Sequence, residues 1–343
     1  MRSATAVLVY ALTVLALVSC AHAGPPDLNS LTLNNIVDIR PSPNCTGNEC
    51  IVYVTANASK CVESFPCFST LNEAVMNPYT NQRVILLDKL AILHDLVYVS
   101  HVWNYTIDSP VGTLLKASVN STSPIGPYLF IFNCEGFLLR NVGLFRARLR
   151  EAPIVIGQSK VVVERINCTL NLVEADRVEA PMYMSACLFS HSSTLRIVDS
   201  TFRLNRIHMV RNGSPGFGAA VTAIAGGKLF IDDSVFREQI IVSDTGCGAA
   251  VYASEAMLVI NNGTFIGNRV ISNTLALGGA IYARTGNLDI VSSHFYNNSI
   301  RLQDYFASGT GGAIHHIAVP VFPSFIDYYL SVASSTFQGN FVR

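Results

Sequence analysis

A block of small residues recurs in the C-terminal half of the chain and constrains the fold more than any other feature. Each copy is a Gly-Gly or Gly-Ala pair followed by alanine and a β-branched residue. The apolar stretch after it ends at a phenylalanine seven residues beyond a leucine. Self-similarity with a period of about 20–50 residues is typical of solenoids, in which each repeat is one supersecondary unit. The clearest copies start at Gly218, Gly248, Gly278 and Gly311.

Alignment of the repeats on the leucine and the phenylalanine gives three columns of apolar residues. The first two columns are two residues apart, so they lie on one face of a strand and are predicted to point into the core. The third column is mostly aromatic and lies further around each coil. The first column contains Phe137, Val161, Leu195, Leu229, Leu258, Leu288 and Leu330; the second contains Leu139, Val163, Ile197, Ile231, Ile260, Ile290 and Val332; and the third contains Leu144, Cys168, Phe202, Phe236, Phe265, Phe295 and Phe337.

Side-chain amides recur three residues after the third column. Stacked amides one strand spacing apart can hydrogen-bond as a ladder, and asparagine also tolerates the left-handed backbone of a tight corner. The Gly-Gly or Gly-Ala pair is predicted to form another corner, where a Cβ would crowd the backbone or φ must be positive. The amide series is Asn171, Asn205, Gln239, Asn268, Asn298 and Asn340, and Ala147 interrupts it.

The repeats vary in length, which predicts loops on one side of the solenoid. Leucine-rich repeats are the alternative, but their period is about 20–29 residues and they lack the Gly-Gly-Ala-Ile corner. Coils are predicted to start at Phe130, Ile154, Leu188, Val221, Val251, Ile281 and Ile314. The predicted excursions are Ala175 to Met182, Met209 to Gly216, Val270 to Leu277 and Arg301 to Thr310.

The N-terminal residues 1–23 have the pattern of a signal peptide. Arg2 precedes the apolar run from Ala4 to Val18, and Ala21-His22-Ala23 provides a cleavage site. Two alternatives stay open, because Leu17 to Cys20 fits a bacterial lipobox and an uncut run could act as an anchor. Residues 24–80 are predicted to form a Cys-rich cap and residues 81–343 the solenoid. No cap sequence is visible before Arg343, which leaves open a truncated product or an association through that end.

Sequons and cysteines agree with an extracellular or cell-surface location. Eight Asn-x-Ser/Thr sequons are present, of which the one at Asn212 is weakened by Pro215. Eight cysteines follow the signal region, an even number that suits an oxidising compartment. Cys45 with Cys50 and Cys61 with Cys67 are the candidate disulfide pairs, although spacing does not fix the connectivity. The seven predicted glycosylation sites are Asn44, Asn57, Asn104, Asn120, Asn167, Asn262 and Asn297.

The charge is low and balanced, with 23 basic and 23 acidic residues. Without a basic block, binding to nucleic acid has no electrostatic basis in the composition. No second apolar run reaches spanning length, so no membrane span is predicted in the mature chain. No cofactor is predicted.

The repeats resemble those of chlamydial polymorphic outer-membrane proteins, which share Gly-Gly-Ala-[Ile/Val] and Phe-x-x-Asn. The segment from Cys61 to Val75 is similar to the Cys…Pro-Cys-x-Thr-Leu-x-x-Ala-[Ile/Val] segment that often precedes such repeats. The resemblance implies an all-β, right-handed parallel β-helix of the pectin-lyase type, with a disulfide-stapled cap built from a strand and a short helix. It also implies surface exposure and adhesion, and it implies no catalytic residues. The bacterial members end in a membrane barrel, whereas the last residue here is Arg343.

An enzymatic alternative rests on Asp199, Asp232 and Asp233. Polysaccharide lyases and glycoside hydrolases of this fold use clustered carboxylates, and Asp199 is predicted to stack on Asp233. The same positions suit a turn ladder of small polar residues. The polygalacturonase motifs Gly-His-Gly and Arg-Ile-Lys are missing, and the pair His315-His316 provides too few ligands for a metal site.

The sequence therefore predicts a secreted or cell-surface structural or adhesive protein without catalytic activity. Its expected partners are the extracellular matrix, a cell-surface glycan or a protein. A carbohydrate-binding or polysaccharide-cleaving β-helix stays as the alternative. Stacking surfaces for a sugar are predicted at Tyr79, Tyr98, Trp103, Tyr105, Tyr296 and Tyr305.

Overall fold

The chain is almost entirely β-strand in a computed structural model that describes residues 50–61, 65–75, 81–93, 96–117, 127–175, 184–209, 215–318 and 328–343. The helices are a 3₁₀ turn, Ala58–Lys60, and α1, Leu71–Val75. The strands are β1 Cys50–Val54, β2 Cys67–Phe68, β3 Gln82–Leu86, β4 Leu90–Leu93, β5 Val97–Ser100, β6 Thr106–Ala117, β7 Leu129–Phe132, β8 Glu135–Phe145, β9 Arg148–Leu149, β10 Ile154–Gly157, β11 Lys160–Glu164, β12 Asn167–Thr169, β13 Leu172–Ala175, β14 Leu188–His191, β15 Thr194–Val198, β16 Thr201–Arg203, β17 Arg206–Met209, β18 Pro215–Phe217, β19 Val221–Ile224, β20 Lys228–Asp232, β21 Val235–Arg237, β22 Ile240–Cys247, β23 Val251–Ser254, β24 Met257–Asn261, β25 Thr264–Ile266, β26 Arg269–Leu277, β27 Ile281–Arg284, β28 Leu288–Val291, β29 His294–Tyr296, β30 Ser299–Leu302, β31 Ser308–Thr310, β32 Ile314–Ile317, β33 Leu330–Ala333, β34 Thr336–Gln338 and β35 Phe341–Val342.

The strands form three parallel sheets that wind into a solenoid. Sheet 2 contains eight strands in the order β32-β27-β23-β19-β14-β10-β7-β5, so each coil contributes one strand and pairs with the coils before and after it. Each coil then continues through the 18-stranded sheet 1 and the 9-stranded sheet 3. Parallel sheets of this kind are buried on their inner face, which explains the strands rich in valine, isoleucine and leucine. The predicted parallel β-solenoid is confirmed.

The three predicted columns are in register from coil to coil. Leu229 pairs with Leu195 and Leu258, and the same register holds for the isoleucines of the second column. In the third column the rings of Phe236, Phe265 and Phe295 stack with centroid distances of 4.9 and 4.8 Å. These three rings are completely buried. The prediction that they form one internal stack is confirmed.

The predicted amide ladder is present and has one defect. The Nδ2 of Asn268 donates to the Oδ1 of Asn298 at 2.8 Å, and the backbone N–H of Asn268 donates to the same oxygen at 3.1 Å. Gln239 donates from its Nε2 to the carbonyl of Phe202, as Asn268 does to that of Phe236, but its buried Oε1 has no hydrogen-bond partner. The extra methylene of glutamine therefore places its amide oxygen out of step with those of the asparagines.

The left-handed corner residues are not the ladder asparagines. The positive φ angle falls on the residue before each amide, as at Leu170, Leu204 and Glu238. The expectation that asparagine itself supplies the left-handed backbone is therefore wrong at this corner. The buried asparagines Asn171, Asn268 and Asn298 instead each donate from their side chain to the amide oxygen of the next coil.

The structure also contains a second ladder, of serine hydroxyls, that was not predicted from the sequence. Each serine lies two residues before the third-column residue of its coil. Its Oγ accepts a hydrogen bond from the backbone N–H of the equivalent residue on the preceding coil. The N–H of Ser200 donates to Ser234 Oγ at 3.1 Å, and that of Gly263 donates to Ser293 Oγ at 3.0 Å. Buried backbone donors at the strand breaks are thereby satisfied.

The small pairs form corners, as predicted. Gly248 and Gly278 have φ angles of +59° and +66°, and a Cβ on either would lie under 3.0 Å from a backbone carbonyl oxygen of the same corner. Upstream, where no glycine marks the corner, the predicted starts at Ile154 and Leu188 are in register with Val221. The predicted start at Phe130 is wrong by one residue, because Ile154 aligns with Leu129.

The excursions do not all form loops. The segment from Val270 to Leu277 lies within β26, and the ends of β22 and β26 stack with β18 and β31 into a short extra ladder. A turn at 304–306 follows β30. The remaining predicted excursions fall largely on 176–183 and 210–214, outside the described residues.

The N-terminal end is covered and stapled. Leu71, Ala74 and Val75 of α1 are buried against the first coils, and Thr70 with Glu73 forms a capping box at its start. This agrees with the strand and short helix that the family resemblance implies.

The last described coil has no such cover. Leu330, Val332 and Phe337 are 44–50% exposed, whereas their equivalents one coil earlier are completely buried.

Disulfides lie at the N-terminal end and in the middle of the solenoid. The predicted pair Cys61–Cys67 is confirmed. Cys50 is also disulfide-bonded, and its predicted partner Cys45 lies outside the described residues. A further disulfide joins Cys168 of β12 to Cys187 and was not predicted. No helix in the described ranges has the length and apolar character that a membrane crossing requires.

Candidate functional site

The aspartates proposed for catalysis lie where sheet 1 bends within each coil. Asp199 and Asp233 are exposed and have φ angles of +47° and +50°. The same corner position has a positive φ in neighbouring coils, at Arg165, Asn262 and Ser292. Aspartate, asparagine and serine suit such a position because their short polar side chains stabilise the turn locally. The positions therefore have a structural explanation, and the catalytic role stays a prediction.

Asp232 is engaged in a different set of contacts. Its Oδ2 accepts a hydrogen bond from the Nε of Arg196 at 2.8 Å, and its Oδ1 accepts one from the Nδ2 of Asn261 at 2.9 Å. The Asp232 side chain is 13% exposed, whereas that of Arg196 is 59% exposed, so water screens the ion pair from the arginine side. These two bonds join Asp232 to the coil before it and to the coil after it, so they hold three successive rungs of sheet 1 together.

The histidines after the last Gly-Gly corner do not converge. The Nδ1 of His315 is 2.7 Å from the Oγ1 of Thr310, and its ring stacks on Tyr282 at 5.7 Å. Burial lowers the pKa of His315 to about 4, with a smaller contribution from the charge of His316. His316 instead contacts the carbonyl of Gly286 through its Nε2. Within the part of the chain that is described, no three or more His, Cys, Asp or Glu side chains group as metal ligands.

All predicted sequon asparagines that fall within the described ranges are exposed. Asn57 and Asn104 lie near the N-terminal end, and the others lie along sheet 1 and its corners. Asn44 and Asn120 lie outside the described residues. Exposure is what an acceptor site requires, so glycosylation at Asn57, Asn104, Asn167, Asn262 and Asn297 is sterically open.

The aromatic residues predicted to stack on a sugar are scattered. Tyr105 is completely buried against Phe137, and Tyr98 is half-buried on Phe130. Trp103 is 60% exposed near the N-terminal end, and Tyr305 is 94% exposed at the turn after β30. Tyr79 lies outside the described residues. Tyr296 lies in β29 of sheet 1, half-buried and stacked on His294. The described residues of this set therefore lie in different parts of the solenoid.

The structure instead brings together four exposed arginines, which we term the arginine corner: Arg203, Arg206, Arg237 and Arg269. They lie where sheet 1 turns into sheet 3 on three consecutive coils. Sequence reasoning missed them because the net charge is zero and the repeat was recognised from its buried columns. The signal was present in the outward positions, one and four residues after the third column.

Two clefts are shallow and carry little chemistry. One, of about 420 Å³, lies between coils at a corner lined by Glu255, Met257, Asn287 and Tyr328. The other, of about 280 Å³, lies beside α1 and is lined by Thr55, Asp88 and the exposed side chains of β4. Asp88 is held there by Lys60 and Thr55, whose hydrogen bonds lower its pKa.

The chain has no match among known protein-family models, characterised proteins or solved structures.

Proposed function

We propose that the protein is a secreted or cell-surface structural or adhesive β-solenoid, in line with its resemblance to the repeats of chlamydial polymorphic outer-membrane proteins. The observation that carries this proposal is the outward face of sheet 1. Each coil repeats the same outward positions, so exposed side chains form rows that run along the solenoid axis. Such long regular faces suit extended ligands and multivalent contact.

Covalent features support an extracellular setting. The two disulfides between described cysteines suit an oxidising compartment, and the five sequons within the described ranges are exposed. The signal-like residues 1–23 lie outside the described residues, so the route to the surface stays part of the proposal.

Cell and matrix binding by the purified full chain tests the proposal. We expect saturable binding to cells and to extracellular-matrix coatings. Binding should survive the double substitution Asp199→Ala with Asp233→Ala, because both residues serve corners. A chain that binds neither surface would refute the proposal, and so would loss of binding in the double variant with its circular dichroism unchanged.

The enzymatic alternative is favoured by one observation, the placement of Asp199 and Asp233 at the same corner of neighbouring coils. A reducing-sugar assay on uronic-acid polymers tests it. Release of reducing ends that disappears in the double variant would replace the adhesive proposal with polysaccharide cleavage.

A further inference from the structure

The arginine corner places like charges opposite each other in the sheet. Arg203 and Arg237 are direct partners on neighbouring strands β16 and β21. Arg206 and Arg269 both align with Ile240, one on each side, at the start of sheet 3. Since consecutive coils are about 4.8 Å apart, the first pair is separated by one rung and the second by two. Like charges directly opposite each other destabilise a sheet unless something neutralises them.

Acidic side chains of the described residues neutralise only part of the charge of the arginine corner. Arg237 donates through its Nε to the Oε1 of Glu238 at 2.9 Å. Arg203, Arg206 and Arg269 have no acidic partner among the residues that the structure describes, although other exposed cations do. Glu174, on the strand that pairs with the strand of Arg206, is already paired with Arg148 and His208.

The shape of the site narrows the class of ligand. The four guanidinium groups are exposed and spread along the axis over three coils, without an enclosing pocket. A small anion would find one or two weak contacts here, because exposed charge pairs are worth little individually. A linear polymer could engage all the groups at once and gain from their effective concentration. Guanidinium groups bind carboxylate and sulfate groups through paired hydrogen bonds to two oxygens of the same group.

We propose that the arginine corner binds a linear anionic polysaccharide, whose sulfate or carboxylate groups follow the solenoid axis across three coils. This inference rests on the proposed surface function and names the ligand class for it. Nucleic acid is disfavoured, because the chain has a net charge of zero and the four arginines are not accompanied by a row of exposed aromatic side chains on the described faces.

Binding of the full chain to four immobilised polymers tests the inference: heparin as the sulfated probe, polygalacturonate as the carboxylated one, dextran as the neutral one, and duplex DNA. The test variant combines Arg203→Gln, Arg206→Gln and Arg269→Gln and retains Arg237, so that Glu238 keeps its partner. The matched control combines Lys89→Gln, Lys116→Gln and Lys228→Gln, which removes three exposed charges elsewhere on sheet 1 and beside β4. Circular dichroism and thermal melting confirm that both variants are folded.

We expect heparin or polygalacturonate to bind, dextran to fail, and binding to weaken as salt is added. The arginine variant should lose on the order of tenfold in affinity, whereas the lysine control should stay close to wild type. Equal losses in the two variants would overturn the inference, because binding would then follow the total charge. Equal or tighter binding to duplex DNA that depends on the same arginines would assign the site to nucleic acid.

The outcome also separates this inference from the proposed function. If neither polyanion binds but cells and matrix are still bound, the ligand class is wrong and the adhesive role stands. If nothing is bound in any assay, both fall.

Discussion

Replacement of Phe265 by alanine tests whether the aromatic column holds neighbouring coils together. The ring is completely buried and lies between Phe236 and Phe295, nearly parallel to both, with centroid distances of 4.9 and 4.8 Å. A buried phenylalanine-to-alanine change costs about 3–5 kcal/mol through the missing transfer free energy and an unfilled cavity. Within that figure, the stacking of the ring on each of its two aromatic neighbours contributes about 0.5–1.5 kcal/mol.

Phe337 provides a matched control in the same column. Its ring stacks on Phe295 at 4.7 Å, but it is 46% exposed and has one aromatic neighbour. About half of its transfer free energy is therefore realised, and no closed cavity forms, so Phe337→Ala is expected to cost about 1–2 kcal/mol.

Urea unfolding followed by circular dichroism gives the stability difference, and amide hydrogen exchange locates it. A solenoid is stabilised by contacts between neighbouring coils, so the loss of protection should centre on β21, β25 and β29. The reasoning fails if Phe265→Ala costs no more than Phe337→Ala, or if protection falls evenly along the chain.

Three further changes test other contacts. Gln239→Asn should raise the free energy of unfolding by about 1 kcal/mol. The oxygen of the shorter amide can accept a backbone N–H from the coil before it, as Asn268 Oδ1 accepts the N–H of Gln239. Urea unfolding measures the difference, and Asn268→Gln is the destabilising counterpart. Burial raises the pKa of Asp108, but hydrogen bonds from Arg140 and Arg83 outweigh it and lower the pKa to about 2. Its contribution of about 2 kcal/mol is thus complete above pH ~4 and lost as the pH falls toward 2, which wild-type and Asp108→Asn unfolding across that range would reveal. Removal of the Cys168–Cys187 disulfide by a double serine substitution should cost about 3 kcal/mol, as expected for a closed loop of 19 residues, and peptide mapping without reductant would detect the bond.

Each of these three predictions has an outcome that contradicts it. No gain from Gln239→Asn would mean that the unpartnered Oε1 is accommodated without cost. An acid unfolding profile identical in wild type and Asp108→Asn would remove the carboxylate from the stability of the first coils. Free thiols at both Cys168 and Cys187 would contradict the disulfide.

Two local predictions from the sequence agree with the structure: the order of elements in the N-terminal cap, and the placement of two aspartates at corners. The segment from Cys61 to Val75 has a disulfide, a strand and a helix in the expected order. Asp199 and Asp233 carry the left-handed backbone that a turn ladder requires. By contrast, the bonds of Asp232 to Arg196 and Asn261 link residues about 30 positions apart, and no local pattern encodes them.

The sequence by itself determined the three columns, the amide ladder and the small-residue corners. A strand alternates its side chains between two faces with a period of two, so a repeated pattern fixes which residues face the core of every coil. Tertiary structure alone decided which side chains bond to each other between coils, because loops of unequal length separate the coils and the packing sets how closely individual groups approach. The Cys168–Cys187 pair and the unpartnered Oε1 of Gln239 both depend on that packing.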